Sequence, residues 1–306
     1  MEQTVRAFAP GSVGNVGPGL DILGLAVAGR GDTVTLTRTG GAGIVIADPG
    51  HPSLPTDPRR HSSAIAAEAV FATIGFSVGV SLRLRKELPL AGGQGGSAAS
   101  AVAGALAANQ LSGAGLDISA LLRCALAAEE AVAGRHADNL APSLLGGLVL
   151  IRSLEPMAVI RLPVPAGLRV VLAHPDQQLR TRDARVALPE TVPRAVALAQ
   201  AASVAAMVAG ACLNDIRLFG SAVDDRIAEP VRAALLPGFV RAKRAALDAG
   251  ALGCSISGAG PTAFALAGDD VTAQRIADAM VAAYAADGMT ATARVAEVDL
   301  DGARIV

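Results

Sequence analysis

The stretch LPLAGGQGGSAASAVAGAL, residues 88–106, sets Gly92, Gly93, Gly95 and Gly96 around Gln94 and then continues in small residues with helix-compatible spacing. Ordering that much glycine costs conformational entropy. What it offers is bare backbone, whose successive N–H groups can turn inward in front of a helix N-terminus that favours an anion. A side chain there would hold phosphate oxygens off the backbone. A Walker-type loop needs a Lys after its last Gly, and here Ser97 follows Gly96 directly. A dinucleotide fingerprint fits only loosely, through Gly93, Gly95 and Ala98, and far from the N-terminal strand where such motifs open a fold. The spacing favours a phosphate cradle over a flexible surface loop.

Other stretches carry groups that could work beside it. FAPGSVGNVGPGLDILGLAV (8–27) ends a strand in a glycine turn bearing Asn15 and Asp21, and GCSISGAGPTAFAL (253–266) is a second glycine-rich loop, with Gly258 and Gly260. Between them lie HADNLAPSLLGG (136–147), TRDAR (181–185) and EPVRAALLPGF (229–239). Taken singly, each has a structural reading. Asp21 could cap a helix, Arg185 and Arg232 could sit in surface ion pairs, and His136 could be a satisfied core histidine. Glu129 and Glu130 alone would decorate a solvated helix face.

The elements that must position these groups read as a mixture of short β-rich runs and Ala-rich helices. Strands are expected at TVRAFAP, DTVTLTRTG, GIVIA, VGVSLRLRKELP, GGLVLIRS, AVIRLPV, GLRVVLAHP and TARVAEV. GCSISGAGPTAFALAG reads as strand, turn, strand. Helices are expected at SSAIAAEAVFATIGF, SAASAVAGALAANQLSG, ISALLRCALAAEEAVAG, around 192–213 and 229–249, and at VTAQRIADAMVAAYAADG. The pattern restarts after residue 155, which gives two α+β lobes, 1–160 and 161–306. The 306 residues suffice for that.

Composition removes whole classes of function. With 26 Lys+Arg against 27 Asp+Glu, one Tyr and six Phe, the chain has neither the charge nor the stacking surface for nucleic acid. RAVALAQAASVAAMVAGACL (194–213) raises the membrane question, but it is mostly alanine and is interrupted by Gln200 and Ser203, so it reads as a buried helix of a soluble protein. MEQTVRAFAP lacks a basic region followed by an apolar core, so no secretory signal is expected, and Cys124, Cys212 and Cys254 are isolated. Both observations point to the cytoplasm and to free thiols, not to a disulfide framework or zinc site.

Together the three glycine motifs, in this order, resemble the GHMP small-molecule kinases, and the intervening stretches resemble the homoserine kinases among them. The resemblance runs almost end to end. It implies a two-lobed α+β fold with a ferredoxin-like C-terminal domain and a site in the cleft between lobes. It also implies transfer of the ATP γ-phosphoryl group to the hydroxyl of L-homoserine. The loop Pro89, Leu90, Ala91, Gly92, Gly93, Gln94, Gly95, Gly96, Ser97, Ala98 and Ala99 would wrap the triphosphate, scaffolded by Gly258 and Gly260. Ser97 and Glu129 would hold Mg²⁺, with Glu130 as fallback. Phosphoryl transfer needs positioning and charge neutralisation more than covalent help, which suits this set.

The implied substrate is a zwitterion. Its carboxylate matches Arg185 and Arg232, its ammonium Asp21, and Asn15, His136, Asn139 and Thr181 complete the pocket by hydrogen bonds. Asn139 would orient the attacking hydroxyl, whose proton leaves to a phosphate oxygen; Asp138 stands beside it as the alternative. The resemblance also admits a homodimer without fixing an interface. The chain departs from the family's pattern where its loop reads AGGQGGSAA, with Gln94 for a leucine and Gly96 for a serine, and where Ser62 stands for an adenine-reading asparagine. A non-catalytic sensor of homoserine could arise that way, but it would have no use for a metal pair such as Ser97 and Glu129. A kinase for another small alcohol fits worse, because mevalonate has no ammonium for Asp21 and sugars have no carboxylate for the arginines.

Overall fold

The computed structural model describes residues 3–179 and 181–306, with the side chain of Thr181 outside that description. The first lobe begins with β1 (Thr4–Gly14), β2 (Leu23–Thr39) and β3 (Gly43–Asp48), followed by α1 (Ser62–Ile74), β4 (Gly79–Arg85), α2 (Gly96–Ser112), α3 (Ile118–Val132) and α4 (Leu140–Leu145). It closes with the hairpin β5 (Leu148–Leu154) and β6 (Met157–Leu162). Alternation along β1 turns Val5, Ala7 and Ala9 onto α1, α2 and α3, giving one apolar cluster. α2 runs through its middle. Alanine and glycine all round let neighbours come close: a Cβ on Gly104 would stand 2.2 Å from the Ser63 carbonyl oxygen of α1. Gly95 and Gly113 bound the helix, both left-handed.

The second lobe starts with β7 (Arg169–Pro175) and the helical run α5 (Thr181–Val186), α6 (Arg194–Cys212), α7 (Ile216–Ser221), α8 (Ala228–Arg232) and α9 (Phe239–Asp248). Then come β8 (Gly253–Ile256), β9 (Ala263–Ala267), α10 (Asp270–Ala286), β10 (Ala291–Ala296) and, last, β11 (Arg304–Ile305). The antiparallel sheet order β10-β7-β9-β8 is the ferredoxin-like arrangement expected. Period-two alternation buries it on both faces. Val170 and Leu172 face α6 and α7, whereas Val171 and Ala173 face α9 and α10.

Three expectations need correction. β6 pairs with β5 and β11 with β1 in the first sheet, so a cut at 160 falls inside a strand and the chain's last residues rejoin the first lobe. The helix expected over 229–249 is broken by Pro237 and by Gly238, which takes φ +77°. The helix expected to be buried at 194–213 is largely not: 22% of its apolar window is buried, through Gln200, Met207, Gly210 and Ala211, and the rest is half-buried or exposed. Gln200 anchors it, donating to the Pro18 carbonyl at 2.7 Å and to Asp225 at 3.1 Å.

Candidate active site

One cleft of about 470 Å³ runs between the lobes, and it gathers residues from all the motifs. The glycine loop forms its middle. Gly93 and Gly95 have φ +72° and +66°, and Ala91 enters the left-handed region at +49°. Such curvature leaves no room for side chains: a Cβ on Gly93 would meet the Ser257 and Gly260 carbonyl oxygens at 2.6 and 2.7 Å. Gly92, Gly93, Gly95, Gly96, Ser97 and Ala98 face the cleft, as do Pro89, Leu90 and Ala91, whereas Gln94 and Ala99 do not line it. Ser62 faces Ser97, with hydroxyls 3.2 Å apart, so it stands at the first turn of α2.

At one end lie the polar groups expected for the zwitterion. Arg185 grips Asp21 with both terminal guanidinium nitrogens, at 2.6 and 3.2 Å. Arg232, 3% exposed, is braced by the carbonyls of Gly258 (3.0 Å) and Ala184 (3.3 Å). Asn15 is a brace as well: its Nδ2 donates to the Gly258 carbonyl at 2.9 Å and its Oδ1 accepts from Asp21 N–H at 3.0 Å. Asn15 and Asp21 both hold left-handed backbone, φ 67° and 62°, a cost that clusters where geometry matters.

Asp138 and Asn139 differ in how they are used. The Asp138 carboxylate accepts from Asn15 N–H at 3.0 Å and sits 3.2 Å from His136 Nδ1. Burial would raise its pKa, but the His136 bond and charge, with Arg185 behind them, outweigh burial and hold it down. The same carboxylate, with Glu129, raises His136 against burial's pull downward. Asn139 Oδ1 accepts from the Ser12 hydroxyl at 2.9 Å, and the side chain lines the cleft.

Of the two adjacent acids, Glu129 enters the cleft, 4% exposed, and Glu130 is exposed. Burial pushes the Glu129 carboxyl up, opposed by the His136 charge and by the nearby Ser97 hydroxyl. Its Oε2 is buried with no partner among the described residues. A buried carboxylate oxygen with an idle lone pair beside a hydroxyl is an oxygen donor set that suits a hard divalent cation. No group of three or more His, Cys, Asp or Glu is arranged to hold a metal ion among the described residues, so other ligands of an ion there would come from phosphates and water.

Several residues of the site were not singled out in the sequence. Lys86 lies behind the loop, its ammonium bonded to Asp32, to the Gly96 carbonyl at 2.7 Å and to Ser100 at 3.2 Å. Asp32 is fully buried and also accepts from Glu87 and Leu88 N–H. A lone Asp at the head of the alternating DTVTLTRTG was the available signal. Ser12, His174, Ser257 and Thr262 carry no signal beyond ordinary strand and loop composition.

Both lobes match GHMP kinase family models, the N-terminal domain over residues 61–147 and the C-terminal over 204–286. Known structures agree. A homoserine kinase from Cytophaga hutchinsonii superposes with a TM-score of 0.95 at 41% identity, covering 100% of this chain and 98% of the other. Mevalonate diphosphate decarboxylase from Staphylococcus aureus, at 14% identity and a TM-score of 0.74, shares the fold. The chain is a member of the GHMP kinase family. Within it, the homoserine kinase of Chlorobium phaeobacteroides is 42% identical over 297 residues, 92% of each chain. That of Arabidopsis thaliana is 43% identical over 313 residues, 99% of this chain and 85% of its own. At that identity and coverage, the chain belongs to the homoserine kinases.

Proposed function

We propose that this protein transfers the γ-phosphoryl group of ATP to the side-chain hydroxyl of L-homoserine, giving O-phospho-L-homoserine for threonine biosynthesis. The observation that carries it is one cleft joining a glycine cradle at the start of α2 to a carboxylate and two guanidinium groups. The cradle receives the triphosphate on backbone N–H groups. Asp21 takes the ammonium, and Arg185 and Arg232 the carboxylate. Asn15, His136 and Thr181 complete the amino-acid pocket. Asn139 orients the hydroxyl, and its proton leaves to a phosphate oxygen. Ser97 and Glu129 would hold Mg²⁺, which supplies charge neutralisation at the phosphates. Cys124, Cys212 and Cys254 are free thiols, which supports a cytoplasmic setting.

The test is an ADP-release assay with Mg-ATP and a panel of L-homoserine, L-threonine, L-serine and mevalonate. Turnover with homoserine, falling about 100-fold in Arg185→Ala, is expected when a charged contact to the substrate is removed. Calorimetric binding of homoserine with no ADP release would overturn the catalytic reading in favour of a sensor.

A further inference from the structure

Gln94, where the family pattern has an apolar residue, turns away from the cleft and is 6% exposed. Its Nε2 lies 3.3 Å from Thr262 Oγ1, in the second glycine loop of the other lobe. Thr262 is wholly buried and its hydroxyl makes two further contacts, donating its proton to the Gly92 carbonyl and lying 3.0 Å from His174 Nδ1 on β7; the Thr262 N–H approaches the same carbonyl at 3.4 Å. A hydroxyl has one proton to give and two lone pairs to offer. With the proton on Gly92, the oxygen accepts from both Gln94 Nε2–H and His174 Nδ1–H, which fixes the histidine tautomer and fills the hydroxyl's capacity. Burial lowers the His174 pKa, in keeping with a neutral ring.

Ser257 of the same loop donates to the Gly93 carbonyl at 2.6 Å. Thus two consecutive carbonyls of the nucleotide loop are drawn toward the second lobe. In a planar trans peptide the carbonyl and the following N–H point in opposite directions. Holding the Gly92 and Gly93 carbonyls therefore aims the N–H groups of Gly93 and Gln94 away from that lobe's loop. None of the described residues accepts from the N–H groups of Gly93 or Gly95, both of which line the cleft, which leaves them available to an anion. On the opposite side Ser12 N–H donates to the Gln94 carbonyl at 3.1 Å, so the loop is fastened to both lobes.

We propose that Thr262, with Gln94 and His174 as its two donors, is a positioning node through which the second lobe sets the phosphate-binding curvature of the nucleotide loop. The proposal deepens the kinase reading and rests on it for the identity of the anion. The node touches no substrate; it acts through the peptide planes of Gly92 and Gly93. It also gives Gln94 a purpose that the phosphate cradle alone does not.

The experiment compares Thr262→Val, Thr262→Ser and Gln94→Leu with the unsubstituted protein, by calorimetry with the ATP analogue AMP-PNP and by steady-state kinetics. Thr262→Val keeps the shape and removes the hydroxyl. It should weaken AMP-PNP and raise KM for ATP about tenfold, equivalent to about 1.4 kcal/mol, with KM for homoserine changed less than about twofold. Thr262→Ser should return both nucleotide values to within about twofold, and Gln94→Leu, which loses one arm, should cost about threefold. A Thr262→Val protein that binds AMP-PNP normally would overturn the node. So would equal losses for nucleotide and homoserine, or failure of serine to rescue. Should Thr262→Val not fold, Gln94→Leu decides alone: unchanged AMP-PNP affinity overturns the node. Calorimetry reads nucleotide binding without turnover, so the node stands or falls separately from the identity of the acceptor.

Discussion

Glu129 and Glu130 are neighbours on α3, yet one is sealed in the cleft and the other faces solvent. Burial makes an ionised Glu129 costly, and it keeps an unpartnered oxygen. A cation would relieve both costs, because an opposite charge favours the ionised form. Glu129→Gln is therefore expected to lower kcat by about 100-fold or more across a Mg²⁺ titration, the scale of losing one preorganised electrostatic contact. Glu130→Gln should stay within about twofold. Equal effects would remove Glu129 from the metal role. The pair at 138 and 139 separates by the same reasoning. Both carboxylate oxygens of Asp138 are engaged, by Asn15 N–H and by His136. Asn139 is held on its oxygen by Ser12, and its Nδ2 is 3.4 Å from Asp138, a long contact. Asn139→Ala should then lower kcat about tenfold or more with KM for homoserine nearly unchanged, as expected of a group that orients the hydroxyl in the transition state. Asp138→Asn should act on KM, through loosened His136 and Asn15. The reverse pattern in kinetics would exchange their roles.

α1 and α2 meet through backbone, and at Gly104 the approach is so close that a methyl group would overlap Ser63. Gly104→Ala gains helix propensity but must push the helices apart, and overpacking of this kind costs about 1–3 kcal/mol. A fall in Tm of the intact protein is the expected result; a rise would show that the helices give way freely. α1 is entered at His61, which makes no side-chain cap and is buried with Nδ1 unpartnered. Burial, then the Lys86 charge, lowers its pKa from the ordinary 6.5. Its contribution to stability is full above that ordinary value and is lost as pH falls through the lowered one, because the unfolded chain takes the proton more readily. His136 has the opposite sign: its raised pKa adds stability below the ordinary value that drains as pH rises through the folded one. Comparing His61→Asn with the unsubstituted protein isolates the first effect, and its Tm should fall less between about pH 7.5 and about pH 5.5. Much of this architecture was legible in the chain. Periodicity located α1, α2, α10 and most strands, and the motifs named the groups that meet in the cleft. The strand over Leu23–Gly31 was hidden because DILGLAVAGRG reads as a glycine turn, although β5 pairs with it. The clasp through Thr262 was invisible for a different reason: partners some 170 positions apart, of ordinary type, leave no local pattern.

Besides one apolar cluster in each lobe, the two sheets share a third. Val13, Leu23, Leu25 and Leu148 of the first lobe share a cluster with Leu172, Phe219 and Phe264 of the second, and Val298 joins it from the returning tail. β11 then completes the first sheet beside β1, with the Arg304 guanidinium 4.5 Å from the centre of the Phe8 ring. The second lobe is thus inserted into the first, and the lobes are joined by apolar contacts that belong to neither alone. Separating the lobes would expose large side chains on both, at about 25 cal/mol per Å² of apolar surface. A single cooperative transition is the expected behaviour, despite a chain length at which independent units are common. Phe264 is the sharpest probe, since it is fully buried on β9 and faces the shared cluster. Phe264→Ala should cost about 3–5 kcal/mol, the usual loss for a buried aromatic, and should move the whole calorimetric transition to lower temperature as one peak. Two resolved peaks, with only the lower one displaced, would mean that the lobes melt separately and that the cluster is a contact surface and not a common core.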